Sequence, residues 1–280
     1  MGGFEHKKEL VRKWERASLK DSVVFSWIVS EHQDVCLRLL QLILPKLQII
    51  SVHDVKGEYT QKESTAFHGV RFDVYAEDEQ GKMYDIEMQV IDKHDLGKRI
   101  AYYQSNLVRH ALLAGQSYSD KVDTYVIFVC NFDYGGAKLP VYTTRVILSE
   151  NGKLIDTGEH NIILNAKAPD LSGISQGLAA FLRYVDTSVA TDSFTQKLDE
   201  YIAELKRDSE KRLGYMELEQ EIVAREEYAK KKALEEEREK IVKNMLNEGY
   251  TKEQIIDLMP KLTGMTQNEV VALYDKLCVK

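Results

Sequence analysis

Two acidic residues in the first half of the sequence are placed where they could act together on a metal ion. Asp73 and Glu87 each lie within a run in which apolar and polar residues alternate, RFDVYAED and KMYDIEMQ. Alternation with a period of two is typical of a β-strand with one buried face, so both carboxylates fall on the polar faces of their strands. Carboxylate oxygens, with a strand carbonyl such as that of Met88, are the hard ligands that Mg²⁺ prefers.

The loop between the two strands fixes their register. The apolar residues of both strands must meet on one face, which excludes a two-residue turn and favours a three-residue turn with a glycine bulge. Gly81 then takes the left-handed position, and Asp78 pairs with Lys82. Counting back along this register places Asp73 directly opposite Glu87. Like charges so placed destabilise a sheet unless something lies between them, and a divalent cation meets that requirement.

Two other interpretations of this acidic face stay open. A half-buried hairpin often carries acids on its wet face, where Glu77 and Asp85 are also expected to lie. Arg71 offers a second explanation, because its charge could neutralise one of the two carboxylates.

The flanking sequence predicts an α/β layered domain up to about residue 150. One or two helices over residues 21–47, interrupted at Pro45, precede a strand over residues 48–59 and then the hairpin. Residues 95–115 form a helical pattern with Asp95 as N-cap and Gly115 as stop. Two more strands follow, over residues 123–132, which are apolar enough for burial on both faces, and over residues 139–150.

The character of the chain becomes helical from about Leu178 onward. We expect a core domain over residues 1–150, a core-completing segment over 151–192, and a charged helical extension over 193–280. The run REEYAKKKALEEEREK predicts a solvated helix that acts either as a spacer between domains or as a pairing helix, and the second alternative would make the chain a homo-oligomer. The final two short helices, opened by Thr251 and Thr266, suit a helix-turn-helix-like module or a small bundle that packs on its own protein.

Composition excludes several classes of protein. A net charge of −7, with 19 Lys and Arg against 21 Asp and Glu up to Glu150, argues against bulk electrostatic coating of nucleic acid. Three widely spaced cysteines and the lack of a long apolar segment lead us to expect a cytoplasmic protein without a membrane partner.

The seven histidines are scattered, so zinc is not expected. No phosphate-binding glycine loop occurs, and GISQG does not follow a strand as a nucleophile elbow must.

The order of these features resembles a known family of enzymes. The motifs FD, IEMQ after the hairpin, KRIAYYQSNLVRHAL and YVIFVCNFDYGGAKLPVYTTR resemble the recombination-promoting nuclease and transposase family of the PD-(D/E)XK nuclease superfamily. The resemblance covers residues 20 to 150 well and the helical tail more loosely. It implies a restriction-endonuclease-like core, a mixed sheet flanked by helices, and Mg²⁺-dependent cleavage of DNA, with Mn²⁺ as a substitute.

The resemblance also assigns roles to individual residues. Asp73 matches the motif aspartate, Glu87 the acidic residue of the E-x-K element, and Gln89 the lysine position, with the Met88 carbonyl as a further metal ligand. The departure lies at Gln89. A lysine adds positive charge beside the scissile phosphate, whereas an amide can only orient the attacking water.

Residues of the helix over 95–115 could compensate for the missing charge. Lys98 and Arg99 are the nearest cations, or else ordinary surface residues, and Tyr102 and Gln104 could face DNA. Tyr103 belongs to the apolar stripe of this helix and is expected in the core.

An early pair of acids, Glu31 and Asp34, offers an additional metal-side carboxylate or a helix cap. The function that we expect from the sequence is that of a DNA endonuclease linked to recombination or transposition. The alternatives are a catalytically weakened DNA-binding or assembly protein on the same fold, and an interaction module whose acidic face is packed away.

Overall fold

A computed structural model describes residues 2–61, 70–112 and 115–278 of the chain. The helices are α1 (Gly2–Arg16), α2 (Ser22–Glu31), α3 (Gln33–Ile43), α4 (Leu96–Ala111), α5 (Gln176–Thr187), α6 (Ser193–Arg207), α7 (Ser209–Asn247), α8 (Lys252–Thr263) and α9 (Gln267–Cys278). The strands are β1 (Val52–Gln61), β2 (Val70–Asp78), β3 (Met83–Gln89), β4 (Thr124–Cys130), β5 (Val141–Thr143), β6 (Val146–Ile147), β7 (Leu154–Ile155) and β8 (Glu159–Asn165).

A six-stranded mixed sheet in the order β1-β2-β3-β4-β8-β5 forms the centre of the first part of the chain. β1, β2 and β3 are antiparallel, β3, β4 and β8 are parallel, and β5 returns antiparallel to β8. Every residue of β4 is buried, as its uninterrupted apolar sequence predicts for a central strand. The predicted fold class, a mixed sheet with flanking helices and a helical C-terminal region, is confirmed.

The hairpin between β2 and β3 has the loop and register predicted from the sequence. Gly81 has a φ of +76°, which a glycine adopts without steric cost. The backbone N–H of Asp78 donates to the carbonyl of Lys82 (3.0 Å), and the ladder pairs Val74 with Ile86. One further step along this register reaches the two acids.

Helices cover both faces of the sheet. α2 packs on β1, β2 and β3 from one side, and α4 packs on β2, β3, β4 and β8 from the other. Because paired residues of neighbouring strands share a face, Asp85, opposite Val126, and Glu87, opposite Phe128, lie on the side of α4. The core on this side consists of Tyr75, Leu96, Ile100, Leu107, Val126, Phe128, Cys130 and Ile163.

The expectation that Asp85 lies on a wet face is wrong, because its side chain is 0% exposed. Alternation in a strand gives the side on which a residue lies but not what covers that side. The apolar stripe of α4 packs against the apolar side chains of β4. Because β3 lies beside β4, the helix in this position also covers the polar side of β3. Glu77, farther along β2, stays partly exposed and pairs with His53 (3.7 Å).

Several element boundaries differ from those predicted. α4 ends at Ala111, before Gly115, and Asp95 takes the N-cap position without a side-chain hydrogen bond. The run over residues 139–150 forms two strands, with β5 in the main sheet and β6 paired with β7 in a separate two-stranded sheet. β8 was not predicted, since its apolar residues Ile162 to Leu164 are too few to stand out beside the polar residues that flank them.

The chain divides into two compact units, Met1–Arg212 and Leu213–Lys280. In the second unit, the end of α7 packs with α8 and α9 around Val242, Met245, Ile255, Met259, Met265 and Val270. Thr251 and Thr266 cap α8 and α9 as expected, and the reciprocal partner of Thr251 is Gln254. The domain limits drawn from composition stay a prediction.

The middle of α7 is exposed to solvent, as its charge pattern predicts. All side chains over residues 227–237 are exposed, and Lys232 and Glu236 form an i,i+4 ion pair (3.7 Å). No helix in the described ranges of the chain has both the length and the apolar character needed to cross a membrane.

Candidate active site

The two predicted acids meet where the paired part of the β2–β3 hairpin ends. The backbone N–H of Asp73 donates to Oε1 of Glu87 (2.8 Å), and the backbone N–H of Met88 donates to Oδ2 of Asp73 (3.0 Å). Each carboxylate therefore accepts a hydrogen bond from the backbone of the opposite strand. These charge-assisted bonds hold two like-charged side chains side by side, which repulsion alone would drive apart.

Glu87 lies in an environment that disfavours its charge. Its side chain is only 3% exposed, and burial raises its pKa to about 7, although the N–H of Asp73 and the charge of Arg99 oppose the shift. A buried carboxylate of this kind gains stability from any cation that reaches it.

Arg99 brings a positive charge from α4 to the acids. Its Nη2 lies 3.5 Å from Oε2 of Glu87, and Nη1 donates a hydrogen bond to Oε1 of Gln89. The guanidinium packs over the rings of Tyr103 (5.5 Å) and Phe128 (5.4 Å), which fix its position by cation–π contact. With 26% of its side chain exposed, Arg99 connects the buried acids to the surface.

Gln89 lies at the carboxyl end of β3, and both ends of its amide are engaged. Nε2 donates to the carbonyl of Ile91 (2.6 Å), and Oε1 accepts from Arg99. The side chain is half-buried. The amide is thus held in one orientation beside the two carboxylates.

A third carboxylate, that of Asp85, lies deeper on the same face of β3. Among the residues that the structure describes, neither of its oxygens has a hydrogen-bond donor, and its neighbour is the carboxyl group of Glu87. A hydrogen bond between two carboxyl groups requires a proton on one of them. Burial, and then the charges of Glu87 and Asp73, raise the pKa of Asp85 well above its ordinary value.

Sequence reasoning did not assign Asp85 to the site. The signal was present in β4, whose residues are apolar in both alternating positions. A strand buried on both faces requires a layer on each side, so the acids of its neighbour β3 must be covered too.

The other candidates on α4 fall into two groups. Lys98 and Tyr102 lie on the exposed side of the helix, apart from the acids that Arg99 reaches. Tyr103 packs against the core as predicted, while its hydroxyl accepts a hydrogen bond from Arg99 (3.3 Å). The expectation that Gln104 faces DNA is wrong, because Gln104 is 3% exposed and its amide donates to Thr124.

The early acids form ion pairs elsewhere. Glu31 pairs with Lys211 and Asp34 with Lys197, so neither serves as a metal-side carboxylate or as a side-chain cap. The side chain of Arg71 lies outside the described residues, and its role as a counter-charge stays a prediction.

The donor set at the acids fits a hard divalent cation. Asp73, Glu87 and Asp85 offer carboxylate oxygens, and those of Asp85 are buried without a donor, as expected of groups whose partner is a positive charge. In the described part of the chain, a separate group with ligand atoms within 4.8 Å of one another consists of His53, Asp54 and Glu77. It is largely exposed, and nothing beyond proximity assigns an ion to it.

Comparison with known proteins places the site within a matched region. The sequence model of a family described as PD-(D/E)XK nuclease family transposase matches residues 22–164, just over half of the chain. This segment begins with α2, ends within β8 and includes all three acids, Gln89 and Arg99. No curated protein and no solved structure matches the chain significantly.

Proposed function

The chain belongs to the PD-(D/E)XK nuclease family of transposases, and from this premise we propose that it is a metal-dependent DNA endonuclease. Membership implies a nuclease-type function with DNA as the partner. The proposal goes further: hydrolysis of phosphodiester bonds, Mg²⁺ as the cofactor, and a role in recombination or transposition. The observation that carries it is the pairing of Asp73 and Glu87, in which each carboxylate accepts a backbone hydrogen bond from the opposite strand, with Arg99 beside Glu87.

In this proposal each residue has a separate task. Asp73, Glu87 and the carbonyl of Met88 would hold the cation. A bound Mg²⁺ would polarise the scissile phosphate and make its bound water more acidic. Gln89 orients the attacking water through its amide. Water attacks phosphorus and loses a proton to solvent, one P–O ester bond breaks, and the leaving oxygen takes up a proton from solvent to become a hydroxyl group.

Arg99 takes over the charge that a lysine at position 89 would supply. A guanidinium stays protonated throughout the accessible pH range and matches the geometry of a phosphate with two parallel N–H groups. Its contacts to Glu87 and Gln89 place that charge beside the proposed ligands. Lys98 and Tyr102, on the exposed side of the same helix, could contact the DNA backbone farther out.

The test is nicking of supercoiled plasmid by the full chain in Mg²⁺, in Mn²⁺ and in EDTA. We expect nicking with either metal and none in EDTA. Asp73→Asn and Glu87→Gln keep side-chain shape and backbone contacts but remove charge, and each should abolish nicking. Glu77→Gln, a matched change on β2 away from the site, should leave the rate unchanged. Nicking that persists in EDTA or in both variants would disprove the proposal.

One observation favours a second candidate function, a catalytically weakened DNA-binding or assembly protein. The amide of Gln89 is already bonded to Ile91 and Arg99, so it must exchange partners before it can orient a water. If this prevents catalysis, the chain should retard DNA in a gel shift with Ca²⁺ yet leave plasmid intact in Mg²⁺ and Mn²⁺ over many hours.

A further inference from the structure

Asp85 has no role in the proposed reaction, although its surroundings disfavour a charged carboxylate more than those of Asp73 and Glu87 do. Its side chain is 0% exposed, and neither oxygen accepts a hydrogen bond from any residue in the described ranges. The nearby hydroxyl groups are directed elsewhere: Tyr75 donates to Glu77, and the Tyr103 hydroxyl meets Arg99 and Glu87. Burial without a partner disfavours the charged form of a carboxylate, so either a proton or an opposite charge must compensate it.

The charges around Asp85 do not balance among the side chains that the structure describes. When all three are ionised, Asp73, Asp85 and Glu87 carry three negative charges on one face of the hairpin, against one positive charge on Arg99. In that state the remainder among the described side chains is −2, the charge that a divalent cation neutralises. The contact between Asp85 and Glu87 places this excess next to the carboxylate already proposed as a ligand.

We propose that Asp85 belongs to the cation-binding group and contributes the negative charge that holds a divalent cation at Glu87. The inference rests on the proposed function, because it needs a cation at Asp73 and Glu87. It adds a residue whose role is to strengthen metal binding without contact to DNA. Asp85 is therefore a positioning residue for the cation, and its effect is measured as metal affinity.

The experiment is a titration of the metal-free full chain with Mn²⁺, in which the electron paramagnetic resonance signal of free Mn²⁺ reports binding. Asp85→Asn keeps the shape of the side chain and removes its charge. We expect the wild-type chain to bind Mn²⁺ and Asp85→Asn to bind it about 10- to 100-fold more weakly, the range found when groups that support metal ligands are removed. Glu77→Gln, which removes a carboxylate from the exposed His53, Asp54 and Glu77 group, should match the wild type.

The outcomes separate the two proposals. Equal Mn²⁺ affinity of Asp85→Asn and wild type would overturn the role of Asp85 and leave the metal site intact. A wild-type chain that binds no Mn²⁺ would overturn the metal site and Asp85 with it. A purely structural role predicts a lower melting temperature of metal-free Asp85→Asn with unchanged affinity. If Asp85→Asn does not fold, Asp85→Ser, smaller and neutral, is titrated in its place against the same expectation.

Discussion

Gln89 occupies the position at which the PD-(D/E)XK motif has a lysine, and Arg99 changes what a substitution there should do. From the sequence alone, Gln89→Lys would restore a charge. In the structure, Arg99 already donates to the Gln89 amide oxygen, so a lysine would lose that acceptor and place two positive charges together. We therefore expect Gln89→Lys to lower the rate of plasmid nicking, and the double variant Gln89→Lys, Arg99→Gln to recover part of it.

The control for this exchange is Arg99→Gln alone, which lacks the guanidinium charge. It should nick about 10- to 100-fold more slowly than the wild type, the loss typical of poor positioning. If Gln89→Lys is faster than the wild type while Arg99 is present, the two side chains do not share one charge site.

Glu87 gives the metal-free protein a distinctive dependence on pH. Its pKa in the folded chain is raised by burial to about 7, above its ordinary value of 4.5. A group with a raised folded pKa contributes stability that is complete below the unfolded pKa and lost as pH rises through the folded pKa. In EDTA, the free energy of unfolding should therefore fall between about pH 4.5 and about pH 7, and Asp85 acts in the same direction.

Urea denaturation of wild type and Glu87→Gln at several pH values measures this effect. The variant keeps a hydrogen-bond acceptor for Asp73 but cannot ionise, so its stability should decline less over the same range. Parallel pH profiles of the two proteins would show that Glu87 is already charged in the folded state without metal.

At the scale of elements, the orientation of α4 determines which basic side chain reaches the acids. Arg99 and Lys98 are neighbours in sequence, yet Arg99 points to the acids and Lys98 to solvent. We expect Arg99→Ala to lower the single-turnover nicking rate at least 10-fold, since it removes a charge-assisted contact at the site. Lys98→Ala, the matched control, should change the rate less than threefold at low salt. Equal losses for both variants would indicate general attraction of DNA and not a role at the acids.

The hairpin shows how far the sequence predicts this part of the fold. Alternation in both strands and Gly81 are local signals, and they were sufficient for the turn, the register and the pairing of Asp78 with Lys82. The meeting of Asp73 and Glu87 follows from that register.

What the hairpin sequence could not supply was the layer above it. The burial of Asp85 and the contacts of Arg99 depend on where α4 docks, and its docking is set by β4 and β8, which lie later in the chain. β8 itself pairs in parallel through a long connection, and such pairing leaves no local turn signal. The sequence therefore identified the acids and did not identify their surroundings.

At the scale of the whole molecule, all residues that carry the proposed chemistry precede the charged middle of α7 in the sequence. All proposed ligands and Arg99 lie in the unit Met1–Arg212. α6 belongs with this unit, since it buries Phe194, Leu198, Ile202 and Leu205 and packs on α2 and α5. A chain cut before α6 would lose this apolar cover, and each large buried side chain contributes about 2–5 kcal/mol.

We accordingly expect a chain of residues 1–222, which contains the whole unit Met1–Arg212, to fold and to nick plasmid in Mg²⁺ at a rate close to that of the full chain. Its mass by light scattering should fall to that of a monomer if the rest of α7 and the α8–α9 module hold subunits together, as we propose for long helices of this charge pattern. A matched shorter chain of residues 1–192 should be insoluble because it lacks α6. If the chain of residues 1–222 keeps the mass and DNA affinity of the full chain, the extension has no part in assembly; if it folds but no longer nicks, the extension takes part in the reaction.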